Sequence, residues 1–471
     1  MSNKISRRDF LKLAGTAAGG AVLAACAAPT TQAPPPPTAA PATAKPATAA
    51  PATEAPTAVP TKPPVKGPVV LMGNTGELSQ AQIDAFQNDN PGITVELIAF
   101  DLNRFYAMLA AGAQLDLYRT QAPVLAPLMA RKLFYDLTPY FQASDLIKVD
   151  DLAPANKGYW AKSPTEFGEG NIYGMCKDFS PDCSVWVNDN LFDAAKVDKL
   201  DDTTPITFDK WHEIAKATAV FQGQRIQTWG FGYENGWTDR FWMVALAETD
   251  KALYKNSFSA VDFGDDTKAL ADYYYTVTKE RLTASLVDAS PKGWQGGDFT
   301  AGILSTMQYG YWYGGMAETD ANRGAVRMLP APTWTGKHID PTVTATGWTM
   351  ISKTQVPDAA WKFFEYYMAG QPSIDRAGSG WGVPALKSQW NLMPNNTPFQ
   401  KQVQKVLQGE LAVNEVKINY NPFIPEGAFV NAWNTHVQEA LTGTITFDEL
   451  CSRTEKDVNT LIQEGISRLS G

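Results

Sequence analysis

NIYGMCKDFSPDCSVWVNDNLF, Asn171 to Phe192, is the stretch that decides the fold. Ile172 to Cys176 and Cys183 to Asn188 are rich in β-branched and aromatic residues, the composition of strands. Between them Lys177 to Asp182 is polar and carries Pro181, which has no N–H to give a sheet ladder. The ladder therefore breaks or bends there. Asn188 supplies a helix cap and Asp189 to Phe192 a first turn. Two strands around a polar break suit a crossing between two lobes, because hinges are a few residues at element ends.

On the amino-terminal side, Val69 to Met72 reads as a buried strand. Ser79 caps a helix that runs through Phe86 and stops before Pro91. Ile93 to Phe100 is the next strand, Asp101 to Gly112 a helix, Leu115 to Tyr118 a third strand, and Val124 to Lys132 a helix. This alternation predicts a parallel sheet covered by helices on both faces. Ligands of such sheets sit outside the carboxyl ends of the strands. That selects the loops Gly73–Glu77 and Arg119–Pro123, with Asn74, Glu77 and Gln121 as candidate ligand groups. Arg119 is either a ligand group or an ion-pair partner between lobes. On the carboxyl side, Thr207 caps a helix, Trp229 to Tyr233 is a strand, and Asn235 to Asp239 is a Gly-Trp loop. Helices follow over Phe241–Glu248 and Asp265–Leu282.

The hinge stretch resembles that of extracellular solute-binding proteins of family 1, the maltose-binding-protein-like receptors of ABC importers. The shared pattern is YG, an apolar residue, an acid, a short gap, a strand ending in Val-Asn, and Asp-x-Leu-Phe. Further resemblances are DAFQNDNPGITVE, MLAAGAQLDLY, LFYDLTPYF, FTAGILSTMQYGYW, the Leu329-Pro330-Ala331-Pro332 return, the Gly347-Trp348 strand with its following helix, and Gly380 to Ala385. They run in family order over nearly all of 69–471. Leu115 stands where the family has proline, and Cys176 and Cys183 flank a longer gap. The resemblance implies a periplasmic-binding-protein type II-like α/β fold. Its two discontinuous lobes, 67–178 with 335–388 and 184–330 with 390–471, are joined by a hinge around a ligand cleft. It also implies a monomer without cofactor that hands a carbohydrate to a membrane permease. The acid facing the sugar falls on Asp178, and the stacking tryptophan on Trp312.

Composition agrees with such a receptor. The 471 residues are 44% hydrophobic with a net charge of −9, which argues against a nucleic-acid binder, and three histidines argue against a His-rich metal site. Ser6-Arg7-Arg8-Asp9-Phe10-Leu11-Lys12 is a twin-arginine motif. The apolar run after it is too short to span a bilayer and ends in Leu23-Ala24-Ala25-Cys26, which resembles a lipobox. Residues 1–26 thus read as a lipoprotein signal with Cys26 as the lipidated first residue of the mature chain. That places the protein on the outer face of the cytoplasmic membrane. Residues 27–66 hold twelve of the 32 prolines and no aromatic residue, the composition of an extended tether.

All fourteen tryptophans lie after Tyr159. Sugars offer flat C–H faces and a rim of hydroxyls, so their sites combine aromatic platforms with a few polar groups. Trp312, Trp237, Trp348 and Trp381, each in or beside a Gly-rich segment, are cleft candidates. Trp211, Trp361 and Trp433 fall on helix faces and read as core. Asp178 is a candidate hydroxyl acceptor. Outside the cell thiols oxidise, so Cys176 and Cys183 are expected to form a disulfide across the hinge, or else to be buried thiols. Cys451 reads as buried and unpaired. A metal at Cys176 and Cys183 is not expected, since structural zinc needs four ligands. A receptor of the same architecture for a non-sugar solute is the alternative. A polysaccharide-active enzyme is a third class, but no nucleophile motif, phosphate loop or metal cluster supports it.

Overall fold

The computed structural model describes residues 65–319, 322, 324–415 and 418–470. The twin-arginine motif, Cys26 and nearly all of the Pro-rich segment lie outside the described residues. Eleven strands position the site: β1 (Gly67–Gly73), β2 (Ile93–Ala99), β3 (Leu117–Thr120), β4 (Gly174–Cys176), β5 (Asp178–Phe179), β6 (Val185–Asn188), β7 (Gly232–Tyr233), β8 (Thr306–Gln308), β9 (Val326–Leu329), β10 (Gly347–Met350) and β11 (Val383–Pro384).

The first sheet has the order β2-β1-β3-β10-β4, with β1 parallel to β2 and β3, and β10 antiparallel to its two neighbours. The second has the order β7-β8-β6-β9. The chain leaves the first sheet after β4, builds the second from β6 to β9, and returns for β10. Three segments therefore pass between the lobes: Lys177–Ser184, Pro330–Thr346 and the one around β11, which pairs with β5. After β11, the helix Pro398–Leu411 docks on β9, where Gln402 accepts from Met328 N at 3.0 Å and donates to Met328 O at 2.7 Å.

Local chemistry sets the element ends. Ser79 and Gln82 form a capping box on the helix Gln80–Asp89, and Asp101 caps Leu102–Ala111, which ends on Gly112 in the left-handed region. Asn188 and Thr207 cap Asp189–Ala195 and Phe208–Thr218. Val69, Leu71 and Met72 of β1 are fully buried, as befits an inner parallel strand.

The expected strand Ile172–Cys176 is broken at Tyr173. Glu166–Ile172 pairs with Trp160–Ser163, whereas Gly174–Cys176 joins the main sheet. A Cβ on Gly174 would lie 2.4 Å from Trp348 O, so this close approach to β10 needs glycine. The second expected strand begins at Val185 rather than Cys183. Cys183 N and Ser184 Oγ donate instead to Asp340, each at 2.7 Å.

The crossings are tied by buried carboxylates. Asp182 accepts from Ser180 Oγ (2.6 Å), Val343 N (2.8 Å), Thr344 N (2.9 Å) and Thr344 Oγ1 (2.9 Å). Burial pushes this carboxyl above its ordinary range even against those four donors. Asp340 is raised further, by burial and by the neighbouring Glu410. Each acid sits on one crossing and holds the other.

Candidate ligand-binding cleft

Parallel strands present their carboxyl ends to one edge. Along that edge of the first sheet lie Phe100 after β2, Asn74 and Glu77 after β1, Arg119 and Gln121 at the end of β3, and Lys177 and Asp178 after β4. Asn74 is exposed and its Oδ1 accepts from Gly76 N at 3.0 Å, shaping the turn. Gln121 is half-buried and donates to Thr346 Oγ1 at 3.1 Å. Arg119 grips Glu77 through Nε and Nη2 at 2.8–3.1 Å. Glu77 follows β1 and Arg119 lies in β3, so this pair does not bridge the lobes. Burial alone would raise the Glu77 carboxyl, but Lys177, Arg119 and Arg376 together hold it below its usual range.

Asp178 is only 6% exposed. Lys177 Nζ donates to it at 2.5 Å, and Arg376 Nε stands 3.9 Å away. Its carboxylate is thus engaged inside the protein, beneath Gly382, where a Cβ would meet Asp178 Cβ at 2.9 Å. Lys177 and Arg376 were not singled out from sequence. Lys177 follows a strand end and was open to the same reasoning as Asp178. Arg376, on the helix Gln371–Ser379, gives no signal short of the fold.

Tryptophans distant in sequence meet beside this edge, Trp237 and Trp312 from the chain that builds the second sheet and Trp381 from the segment before β11. Trp312 lies 6.3 Å from Trp237 and 6.4 Å from Trp381 between ring centroids. Trp237 and Trp312 are half-buried, and Trp381 is 38% exposed. Tyr309 packs behind them, 5.1 Å from Trp312, and donates its hydroxyl to Glu234 at 2.6 Å. Trp294, absent from the sequence-based candidates, extends the wall at 6.1 Å from Tyr309. The Arg240 guanidinium lies 4.8 Å from the Trp237 ring centroid and is held by Glu426 at 2.5 Å. The loop bearing Trp312 rests on the first crossing through Gly310, where a Cβ would lie 2.3 Å from Ser180 Oγ.

Two expectations are corrected. Trp348 is 2% exposed and stacks face to face on Tyr367 at 3.9 Å, so it belongs to the core and not to the cleft. Cys176 and Cys183 are free, buried thiols. Cys176 Sγ donates to Asn156 Oδ1 at 3.2 Å, while the Cys183 backbone is turned to Asp340, and no disulfide joins them. Trp211, Trp361 and Trp433 are buried, as is the unpaired Cys451. A separate cavity of about 360 Å³, lined by Ala126, Met129, Phe167, Thr342 and Tyr420 among others, contains none of the candidate residues. Among the described residues no group of three or more His, Cys, Asp or Glu side chains is placed to hold a metal.

Residues 72–369, well over half of the chain, match the family model for bacterial extracellular solute-binding proteins. The chain belongs to that family. Similar solved structures include an ABC substrate-binding protein from Listeria monocytogenes in complex with cycloalternan, at 18% identity and TM-score 0.68, covering 84% of this chain and 98% of that one. Maltose-bound MalE3 of T. maritima follows at 15% identity and TM-score 0.64, covering 84% and 99%. A solute-binding protein of Agrobacterium vitis with bound D-mannitol gives 16% and 0.63, covering 85% and 98%. At these identities the likeness speaks for the two-lobed fold. No curated protein matches the sequence.

In this solute-binding protein Asp239, between Trp237 and Arg240, supplies a pH test. Burial raises its carboxyl from the usual 3.8 to about 6, with Arg240 opposing and Glu426 assisting. The folded state then binds the proton more tightly than the unfolded one. Asp239's contribution to stability is therefore full below pH ~4, falls as pH rises, and is lost above ~6. Asp239→Asn should stabilise the protein by about 2 kcal/mol at pH 7.5 and by almost nothing at pH 4, after allowance for partial exposure. Urea denaturation at both pH values checks this, and an equal effect at both would contradict it.

Proposed function

We propose that this protein is the extracytoplasmic receptor of a carbohydrate ABC importer. The observation that carries the reading is the wall of Trp237, Trp312 and Trp381, drawn from three distant segments and left partly open beside the first sheet's carboxyl edge. Large apolar faces next to a few fixed polar groups suit a sugar ring, whose C–H face needs a platform and whose hydroxyls need partners. The sugars bound by the similar structures point the same way. The lobes are 67–178 with 335–388 and 184–330 with 390–471, a division supported by the strands of the first three segments and, for the last, by the docking of Pro398–Leu411 on β9.

In this reading the sugar lies against the tryptophan wall and the lobes close over it by bending at the crossings. The closed form docks on the permease. Closure follows binding only as far as the ligand favours the closed form over the open one. The ligand is carried and not turned over in this reading, in keeping with a family of solute-binding proteins. A twin-arginine signal exports the chain, and Cys26 anchors it by lipid on the outer face of the membrane, with 27–66 as the tether.

A thermal-shift screen of mono- and oligosaccharides finds the ligand, since a compound at 100 times its Kd adds about 2.7 kcal/mol of stability. Should only non-sugar solutes shift the melt, the carbohydrate reading is wrong. With the sugar in hand, Trp312→Ala should cost about 2 kcal/mol, roughly thirtyfold in Kd by calorimetry, with the melting temperature of the free protein nearly unchanged. Unaltered affinity would remove Trp312 from the site. For the anchor, Cys26→Ser should move the protein from the detergent to the aqueous phase on partition, and a variant that stays in detergent would refute lipidation.

A further inference from the structure

Phe100 ends the run that forms β2 and is 42% exposed. Single exposed aromatic residues are ordinary on protein surfaces. This one is held in place. Its ring stacks on Tyr118 at 5.7 Å, Tyr118 stacks in turn on Phe105 at 4.0 Å, and the Arg119 guanidinium, fixed by Glu77, lies 5.8 Å from the Phe100 centroid. The exposed face is therefore rigid and lies at the carboxyl edge, where ligands of such sheets sit.

The strand order sets its distance from the known wall. β2 is one margin of the first sheet and β4, which leads to Asp178 and the Trp381 segment, is the other. Four inter-strand steps separate them, about 19 Å at the usual sheet spacing. A single sugar ring, no larger than an indole, covers one end of that span and leaves the other bare.

Resting on the sugar-receptor reading, we infer that Phe100 is a second stacking platform at the far end of the cleft, and that the ligand is an oligosaccharide of several rings. Short chains occupy the tryptophan end alone. Longer chains pass the Glu77–Arg119 pair and gain the Phe100 face.

Calorimetry on the full chain with maltose through maltohexaose, mannobiose through mannohexaose, and the matching cello- and xylo-series tests this. In the series that binds, affinity should rise with length. Phe100→Ala should weaken the longest member about tenfold and leave the disaccharide unchanged, and Phe100→Trp should retain the gain. The exposed position makes misfolding of either variant a small concern, and their melting temperatures verify it. Equal affinity of wild type and Phe100→Ala for the longest member, or no rise with length, would overturn the inference while leaving the sugar reading intact. No binding of any sugar by the wild type would sink both.

Discussion

Two carboxylates hold the crossings together, and the rest of the architecture depends on them. Asp182 belongs to the first crossing and caps two backbone N–H groups of the second. Asp340 belongs to the second and caps Cys183 N and Ser184 Oγ of the first. Past β5 the first crossing has no strand until Val185, the second has none around Asp340, and Pro181 and Pro341 carry no N–H for a ladder. Buried N–H groups without partners would each cost about 1–3 kcal/mol. The carboxylates supply the acceptors, and burial penalises their charge in return. This arrangement ties the two crossings to each other in a fixed register.

The same competition between burial and pairing shapes the cleft floor. Burial alone would raise the Glu77 carboxyl. Arg119, Lys177 and Arg376 outweigh the burial of Glu77 and bring its carboxyl below the usual range. These charges are matched chiefly with one another, so the floor is rigid and pre-arranged, a condition that lowers the ordering cost of binding. The tryptophan wall supplies area beside it, where Tyr309 packs on Trp312 and Arg240 on Trp237.

Much of this was legible in the sequence. Ser79, Asn188 and Thr207 announced their helices because a cap is a local interaction. The alternation from Val69 to Lys132 gave the parallel sheet, and through it the loops holding Asn74, Glu77 and Gln121. The return of the chain to the first sheet at Gly347 was not visible in any periodicity and came only with the family resemblance. Trp348 was misplaced because a Gly-Trp pair looks the same in a loop and in a buried strand; the stack on Tyr367, nineteen positions on, decides it. The cysteines were misread because proximity in sequence says nothing of direction: one thiol points to Asn156, while the other follows a backbone held by Asp340. Phe100 was assigned to its strand, but its exposure is a tertiary property.

The central claim is that two lobes, clamped at the crossings, close on a sugar held by the tryptophan wall. Small-angle scattering during titration with the cognate sugar measures this most directly. A fall in the radius of gyration that tracks occupancy, saturating with the calorimetric isotherm, is the predicted result. Saturating binding with an unchanged scattering profile would contradict the account.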